Sequence, residues 1–130
     1  MTFYEKEIHR ISQIVYSNQS QIDAVIRTRQ YLENNYETNL NLDILSSTQA
    51  ISKYHLLRLF KKYYGVTPTQ YVVDKRLEKS KQHLISGMLV TETCFAVGFQ
   101  SLGSFSTLFK RKTGKSPYKY QKEQLSRSIQ

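Results

Sequence analysis

The side chains best placed for binding chemistry lie on one side of a short predicted helix. In a helical projection of the stretch Ser52–Tyr71, at 100° per residue, apolar and polar positions separate. The apolar stripe consists of Leu56, Leu59, Phe60 and Tyr63. The opposite side carries Tyr54, Leu57, Arg58 and Lys61. Because cationic donors can bind anions and hydrogen-bond acceptors, this polar side is the first candidate for a binding surface.

The same pattern occurs again 49 residues later. SLGSFSTLFKRKTGKSPYKY (residues 101–120) aligns without a gap on SKYHLLRLFKKYYGVTPTQY (residues 52–71). The alignment pairs Leu59 with Leu108 and Gly65 with Gly114. A second short apolar pattern precedes each copy, at residues 42–51 and 90–99. The chain therefore contains two copies of a helix–turn–helix unit.

Capping signals set the limits of the predicted helices. Asn41, Ser52 and Ser101 are good N-caps, and Thr67-Pro68-Thr69-Gln70 combines a capping box with proline at the first helical position. The helix that begins there runs to Ser86-Gly87. We predict an all-α fold in which two helix–turn–helix subdomains, at about 41–65 and 90–114, are joined by a long linker helix at about 67–86.

The two ends of the chain are predicted to lie outside this repeat. Tyr4, Ile8, Ile11 and Val15 follow amphipathic helical spacing, and we expect a break at Asn18–Ser20. Residues 1–19 then form an N-terminal helical extension, residues 20–123 the main domain and residues 124–130 a polar tail that frays. The extension either packs on the domain or frays, or it offers a surface to a partner or a second copy. The helix that opens the main domain, from Ser20 to about Asn35, is expected to bury Ile22, Val25, Ile26 and Leu32.

Basic residues are concentrated in the repeated part of the chain. The whole sequence has 19 basic and 10 acidic residues and a net charge of +9. Residues 51–130 hold 15 of the basic and 4 of the acidic residues. This excess favours a polyanionic partner, most often nucleic acid, although an acidic membrane surface or solubility alone would give a similar count. For the linker-helix cations Lys75, Arg76, Lys79 and Lys81 we expect a solvated face, and a position near phosphates is the alternative.

Other site chemistries find little support. Cys94 is the only cysteine, so no intramolecular disulfide can form, and it is interpreted as a small core residue in a reducing compartment. The three histidines lack partners at metal-ligand spacing, so we expect no metal site and no cofactor. No apolar run is long enough to span a membrane, and the N-terminus is too charged for a signal peptide. We expect a cytoplasmic protein without enzymatic activity, with no catalytic residues, no membrane association and no evident small-molecule site.

With both units in place, residues 22–121 resemble the DNA-binding domain of the AraC family of bacterial transcription regulators. The most specific motif is VGFQSLGSFSTLFKRKTGKSPYKY (Val97–Tyr120), and Ile51–Gly65 resembles the corresponding first unit. The resemblance implies promoter binding that activates or represses transcription, with RNA polymerase as a further partner. Thr93 and Gln121 depart from the family pattern, where an aliphatic residue and an arginine are usual. Only about 20 residues precede the domain, so the chain resembles either a small stand-alone member or a segment of a longer regulator.

The faces of the two recognition helices supply the predicted DNA contacts, since major-groove readout needs donors and apolar tips that reach base edges. Base readout is assigned to Tyr54, Leu57 and Arg58 in the first unit and to Leu102, Gly103, Ser106 and Thr107 in the second. Phosphate contacts are assigned to Lys53, Lys61, Lys62, Ser104 and Lys110. The alternative for Arg58 is a surface ion pair.

Because the second unit offers only short side chains at these positions, we predict asymmetric reading. The first unit supplies most base discrimination, and the second supplies phosphate contacts and close backbone approach at Gly103. The two helices are expected to occupy successive major grooves of double-stranded DNA. The rival hypothesis is a helical adaptor that acts on RNA polymerase or another regulator, and a third is non-specific DNA packaging.

Overall fold

The structure of the protein, a computed structural model, describes residues 2–129, apart from the side chains of residues 16, 128 and 129. All regular structure in this range is α-helical, which confirms the predicted fold class. The helices are α1 Phe3–Asn34, α2 Leu42–Thr48, α3 Lys53–Tyr64, α4 Pro68–Ile85, α5 Val90–Ala96, α6 Leu102–Thr113 and α7 Pro117–Ile129. None of these helices is long and apolar enough to cross a membrane.

The chain divides into two compact units. The first comprises residues up to Leu32 together with Asn41–Pro68, and the second comprises Glu33–Leu40 and the chain from Thr69 onward. Each unit holds one helix–turn–helix pair, α2 with α3 and α5 with α6. The repeat in the sequence is therefore a repeat in the structure.

The first unit buries apolar residues of α1, α2 and α3. The buried set comprises Ala24, Val25, Leu32, Leu45, Leu56, Leu59 and Phe60. The rings of Phe60 and Tyr64 lie 4.8 Å apart, and Arg29 Nε donates to the Tyr64 hydroxyl at 3.1 Å. These contacts fix the buried side of α3, so its opposite side faces solvent.

Aromatic rings form the core of the second unit. Leu77, Leu84, Cys94, Phe105 and Phe109 are buried together. The ring of Phe105 lies 5.1 Å from that of Phe99 and 5.7 Å from that of Phe109. Cys94 is fully buried, as predicted, and burial raises the pKa of its thiol. Aromatic pairs at these separations stabilise a core beyond the area that they bury.

The predicted caps are present at three helix starts. Asn41 Oδ1 accepts from the amide of Ile44 at 3.1 Å, and Ser52 Oγ accepts from the amide of His55 at 3.1 Å. Ser101 Oγ accepts from the amide of Ser104 at 3.2 Å. These bonds satisfy amides that have no partner within the helix, and they fix the starts of α2, α3 and α6.

The predicted break at Asn18–Ser20 is wrong, because α1 is continuous through it. Asn, Gln and Ser in a helix interior cost only a few tenths of a kcal/mol relative to better helix formers. Gln19 Nε2 also donates to Asp23 Oδ1 at 3.0 Å, one turn further along the helix. Residues 3–19 and the core-forming half of α1 are therefore one helix.

Two residues assigned to the core are exposed. Ile26 is 38% exposed and Tyr63 is 46% exposed. On α1 the buried side includes Thr28 and not Ile26. The Thr28 hydroxyl donates a hydrogen bond to the carbonyl of Ala24 at 2.8 Å, so its polar atom has a partner in the core. At the end of α3 the ring of Tyr64 packs against Phe60, so Tyr63 lies outside the core.

Two predictions about the second unit are also wrong. Arg76 does not lie on a solvated face, because the segment between α1 and α2 passes close enough for its guanidinium to donate to two carbonyls of that segment. Lys75, Lys79 and Lys81, predicted to lie on the same solvated face, are half-buried as well. The tail beyond Glu123 continues α7 as far as Ile129. Residues 124–129 include good helix formers, and Lys115 forms an ion pair with Glu123 on this helix.

Candidate nucleic-acid interface

The outward side of α3 presents a cluster of polar and aromatic side chains. Tyr54 is 72% exposed, and Arg58 and Lys61 are exposed. Leu57 lies between them in the helix and is half-buried. Positions 54, 57, 58 and 61 follow one face of the helix, so the structure brings these predicted site residues together.

Arg58 forms no ion pair with any acidic side chain of the described chain. The surface ion pair considered as an alternative role is therefore absent in this structure. A guanidinium without a protein partner keeps all its donors available to a ligand. Its planar fork suits two parallel acceptors, such as guanine O6 and N7.

The lysines around this face differ in their surroundings. Lys53 Nζ lies 3.4 Å from Asp43 Oδ1 and 5.6 Å from the ring centroid of Tyr54. Lys62 Nζ lies 5.7 Å from the ring centroid of Tyr63. Because exposed ion pairs contribute only about 0 to 1 kcal/mol, a phosphate can compete for Lys53. The aromatic contacts orient both ammonium groups without neutralising them.

The corresponding side of α6 is formed by small residues. Leu102 is 39% exposed, and Gly103, Ser104, Thr107 and Lys110 are exposed, whereas Ser106 is half-buried. A Cβ added to Gly103 would meet only Ser101 Oγ, at 3.8 Å, which is an ordinary contact. The fold therefore does not require glycine at this position, in contrast to the left-handed Gly114 at the end of the helix, with φ of +85°.

Sequence reasoning missed Arg111 as a candidate for this interface. Arg111 is exposed on α6, one turn beyond Thr107, and it lines a shallow concave surface of about 510 Å³ with Gly103, Ser104 and Leu108. It forms no ion pair with the described acidic residues, whereas the neighbouring Lys112 lies 3.8 Å from Asp74. Arg111 follows Thr107 by four residues and so lies on the same helix face, and this spacing in the sequence could have indicated it.

Similarity to known proteins agrees with this arrangement. A family model described as a helix-turn-helix domain matches residues 45–123. The probable transcription factor PqrA of Proteus vulgaris is 30% identical over 93 residues, which cover 69% of this chain and 76% of that protein. The chain belongs to the AraC family of transcription regulators.

Two further proteins share the chain's sequence or its fold. The probable transcriptional regulator LumQ of Photobacterium leiognathi is 31% identical over 122 residues, covering 93% of this chain and 44% of that protein. The DNA-binding domain of AdpA, a global transcriptional factor solved with a target DNA, matches with a TM-score of 0.75 at 20% identity. That match covers 82% of this chain and 96% of the AdpA domain, and it shows the shared fold. The chain spans about half the length of several curated relatives that it matches.

Proposed function

We propose that this AraC-family chain regulates transcription by binding double-stranded promoter DNA at specific sequences through α3 and α6. The observation that carries the proposal is Arg58, an exposed guanidinium without an ion-pair partner among the described residues, on a helix whose other side is buried. The fold shared with AdpA, whose DNA-binding domain was solved with target DNA, supports the same conclusion.

In this proposal α3 lies in a major groove and supplies most of the sequence discrimination. Arg58 forms a bidentate contact to a guanine, and Leu57 meets a thymine methyl group. Tyr54, with 72% of its surface exposed, reaches a base edge or a sugar. Lys53, Lys61 and Lys62 neutralise phosphates, which adds affinity without sequence information.

The proposed role of α6 differs because its face carries no long donor at the base-reading positions. Gly103 permits the helix backbone to approach the DNA closely, since no side chain intervenes there. Leu102, Ser106 and Thr107 contribute methyl and hydroxyl contacts. Ser104, Lys110 and the newly assigned Arg111 contact phosphates.

The repeat of one helical unit supports a binding site with two elements. If α3 and α6 occupy successive major grooves on one side of B-DNA, those elements are separated by one helical turn, about 34 Å. A protein that acts on promoters works in the cytoplasm beside RNA polymerase, which we propose as a further partner. We expect neither a cofactor nor catalysis to be needed for this role.

Selection from random duplex DNA at about 0.15 M salt tests the proposal. We expect a motif with two conserved elements one turn apart, with the more sharply defined element contacted by α3. The affinity for that motif should fall with rising salt but remain above the affinity for a scrambled duplex. Binding without any preferred sequence would refute the proposal and favour non-specific packaging.

The adaptor hypothesis is supported by one specific feature, the short side chains on α6. A helix face of Gly, Ser and Thr with an exposed Leu102 can also pack against another protein. An adaptor would bind RNA polymerase or another regulator and would show neither sequence preference nor steep salt dependence in a DNA titration. The selection experiment therefore separates the two hypotheses.

A further inference from the structure

The first half of α1 carries an apolar stripe that the core of the first unit does not use. No described side chain from residue 2 to residue 20 is buried. The exposed apolar side chains are Phe3, Tyr4, Ile8, Ile11, Ile14 and Val15, with exposed fractions between 48% and 76%. At about 100 Å² each they amount to roughly 600 Å² on one helix, which is at the upper end of the apolar patches found on monomeric proteins.

The stripe has the spacing at which two helices pair with each other. Its seam positions, separated alternately by four and three residues, are Tyr4, Ile8, Ile11, Val15, Asn18 and Ile22. In heptad terms Ile8, Val15 and Ile22 occupy a positions, where parallel two-stranded coiled coils accommodate β-branched residues, and Tyr4, Ile11 and Asn18 occupy d positions.

The residues that flank the seam permit parallel pairing in register. In that arrangement a g residue faces the e residue five positions later on the other helix. Glu7 then faces Ser12, and Ile14 faces Gln19, so no like charges oppose each other. Glu7 is already paired on its own helix with Arg10, at 2.9 Å.

The helix is ordered before any pairing occurs. Residues 3–19 continue directly into the half of α1 that buries Val25 and Leu32 in the core. Isolated short coiled coils must first meet the free-energy cost of helix nucleation. Here the folding of the first unit already nucleates the helix, so pairing does not carry that cost. Two copies that each cover about 600 Å² would bury roughly 1,200 Å² in total, the lower end of specific interfaces.

We propose that a second copy of this chain covers the stripe, in parallel and in register, to form a short two-stranded coiled coil through residues 4–22. The pairing brings two DNA-reading chains into one particle, and it goes beyond the proposed promoter binding, because it requires no DNA. The interface is small, so the dimer is expected to dissociate in the micromolar range.

Sedimentation equilibrium of the whole chain without DNA, at up to about 200 μM, measures this pairing. We expect the mass to rise from one chain toward two, and Ile11→Glu to keep the mass at one chain. The control Gln13→Glu places the same carboxylate on the opposite, f position and should still dimerise. Because glutamate is at least as good a helix former as isoleucine or glutamine, circular dichroism should show unchanged helix content in both variants.

Disulfide formation tests the register. The native Cys94 is fully buried, so a cysteine introduced at the surface is the reactive one. Ile8→Cys brings two a-position thiols within disulfide range in a parallel pair, whereas Gln13→Cys does not. Rapid cross-linking of Ile8→Cys alone would support the proposal. A single-chain mass at every concentration, a larger assembly, a dimer that survives Ile11→Glu, or a dimer without the Ile8→Cys cross-link would each overturn it.

Discussion

The guanidinium of Arg76 donates from Nε to the backbone carbonyl of Tyr36 at 2.6 Å. Its Nη2 donates to the carbonyl of Thr38 at 2.8 Å, and the group lies 5.6 Å from the ring centroid of Phe99. Partial burial lowers the pKa of Arg76, an effect that the Glu37 carboxylate opposes. One side chain of α4 therefore holds the segment that follows α1 within the second unit.

Replacing Arg76 should destabilise the second unit. Arg76→Met keeps the apolar stem but leaves two carbonyls without their donor, and we expect a loss of about 2 to 3 kcal/mol in the free energy of unfolding. Arg76→Lys should be more stable than Arg76→Met but less stable than the wild type, because one ammonium cannot replace both hydrogen bonds of the guanidinium. Urea unfolding measures the difference. Lys79→Met on the same helix is the control, and an equal loss from both methionine variants would contradict this role for Arg76.

Gly98 should tolerate alanine far less well than Gly114. Both have positive φ, +105° and +85°, which is unfavourable for an L side chain. A Cβ at Gly98 would also lie 2.8 Å from the carbonyl oxygen of Glu37, whereas nothing lies within 4 Å of one at Gly114. We expect Gly114→Ala to cost about 1 to 2 kcal/mol and Gly98→Ala about 1 kcal/mol or more beyond that. Thermal unfolding of the two variants compares them directly, and equal melting temperatures would refute the close approach to Glu37.

Replacing Thr93 by valine should stabilise the chain. Its hydroxyl is buried and has no hydrogen-bond partner among the described residues. Thr93→Val removes an unsatisfied polar group at nearly constant volume, so we expect a gain of about 1 kcal/mol in unfolding free energy. Thr28→Val is the matched control, since that buried hydroxyl donates to Ala24 and its removal should not stabilise the chain. Stabilisation by Thr28→Val but not by Thr93→Val would contradict this interpretation.

The ion pair between Lys115 and Glu123 should make stability depend on pH in the acid range. The hydrogen bond from Lys115, with its charge, lowers the pKa of Glu123 below its usual value. The charged carboxylate stabilises the folded chain fully above the pKa of an unfolded glutamate, about 4.3. This stabilisation is lost as the pH falls through the lower pKa that Glu123 has in the folded chain. Glu123→Gln should therefore destabilise the chain at pH 7 and match the wild type at low pH. A difference between the two proteins that does not change with pH would contradict this contribution.

Local signals in the sequence were sufficient to predict the elements of the fold. Ser52 and Ser101 identify two helix starts because a cap acts on amides only two or three residues away. The same local logic failed at Ser20, because serine and asparagine are tolerated in helix interiors and their sequence alone does not distinguish a cap from an interior position.

Long-range contacts could not be read from the sequence. Arg76 meets carbonyls 38 and 40 residues away, and a cation at helical spacing gives no sign of such partners. Gln121, which departs from the family's usual arginine, donates to the carbonyls of Leu84 and Met88 at 3.1 and 2.6 Å. It therefore ties α7 to the end of α4 through hydrogen bonds to the backbone.

The part of the candidate interface that lies on one face of α3 could be predicted from helical periodicity. Arg58 could be placed opposite Leu59 and Phe60 by periodicity alone, and the structure leaves it exposed. Arg111 was missed because the offset of the repeat was applied only to the outward face of α3, and Lys62, the counterpart of Arg111, lies outside that face. The particular bases that each side chain contacts depend on the DNA and are not encoded in this periodicity.

Arg58 is proposed to read a base, and one titration tests this role most directly. The duplex obtained by selection and a scrambled duplex are each titrated with the wild type and with Arg58→Ala, Arg58→Lys, Thr107→Ala and Lys110→Ala. Lys110→Ala serves as the phosphate control and should weaken both duplexes alike.

We expect Arg58→Ala to reduce the preference for the selected duplex by about 1 to 3 kcal/mol. Arg58→Lys should keep the affinity for the scrambled duplex while losing the preference, because the charge remains and the fork is lost. Thr107→Ala should change the preference less than Arg58→Ala does. Equal weakening of both duplexes by Arg58→Ala, or an equal loss of preference from Thr107→Ala, would contradict reading of the promoter mainly by α3.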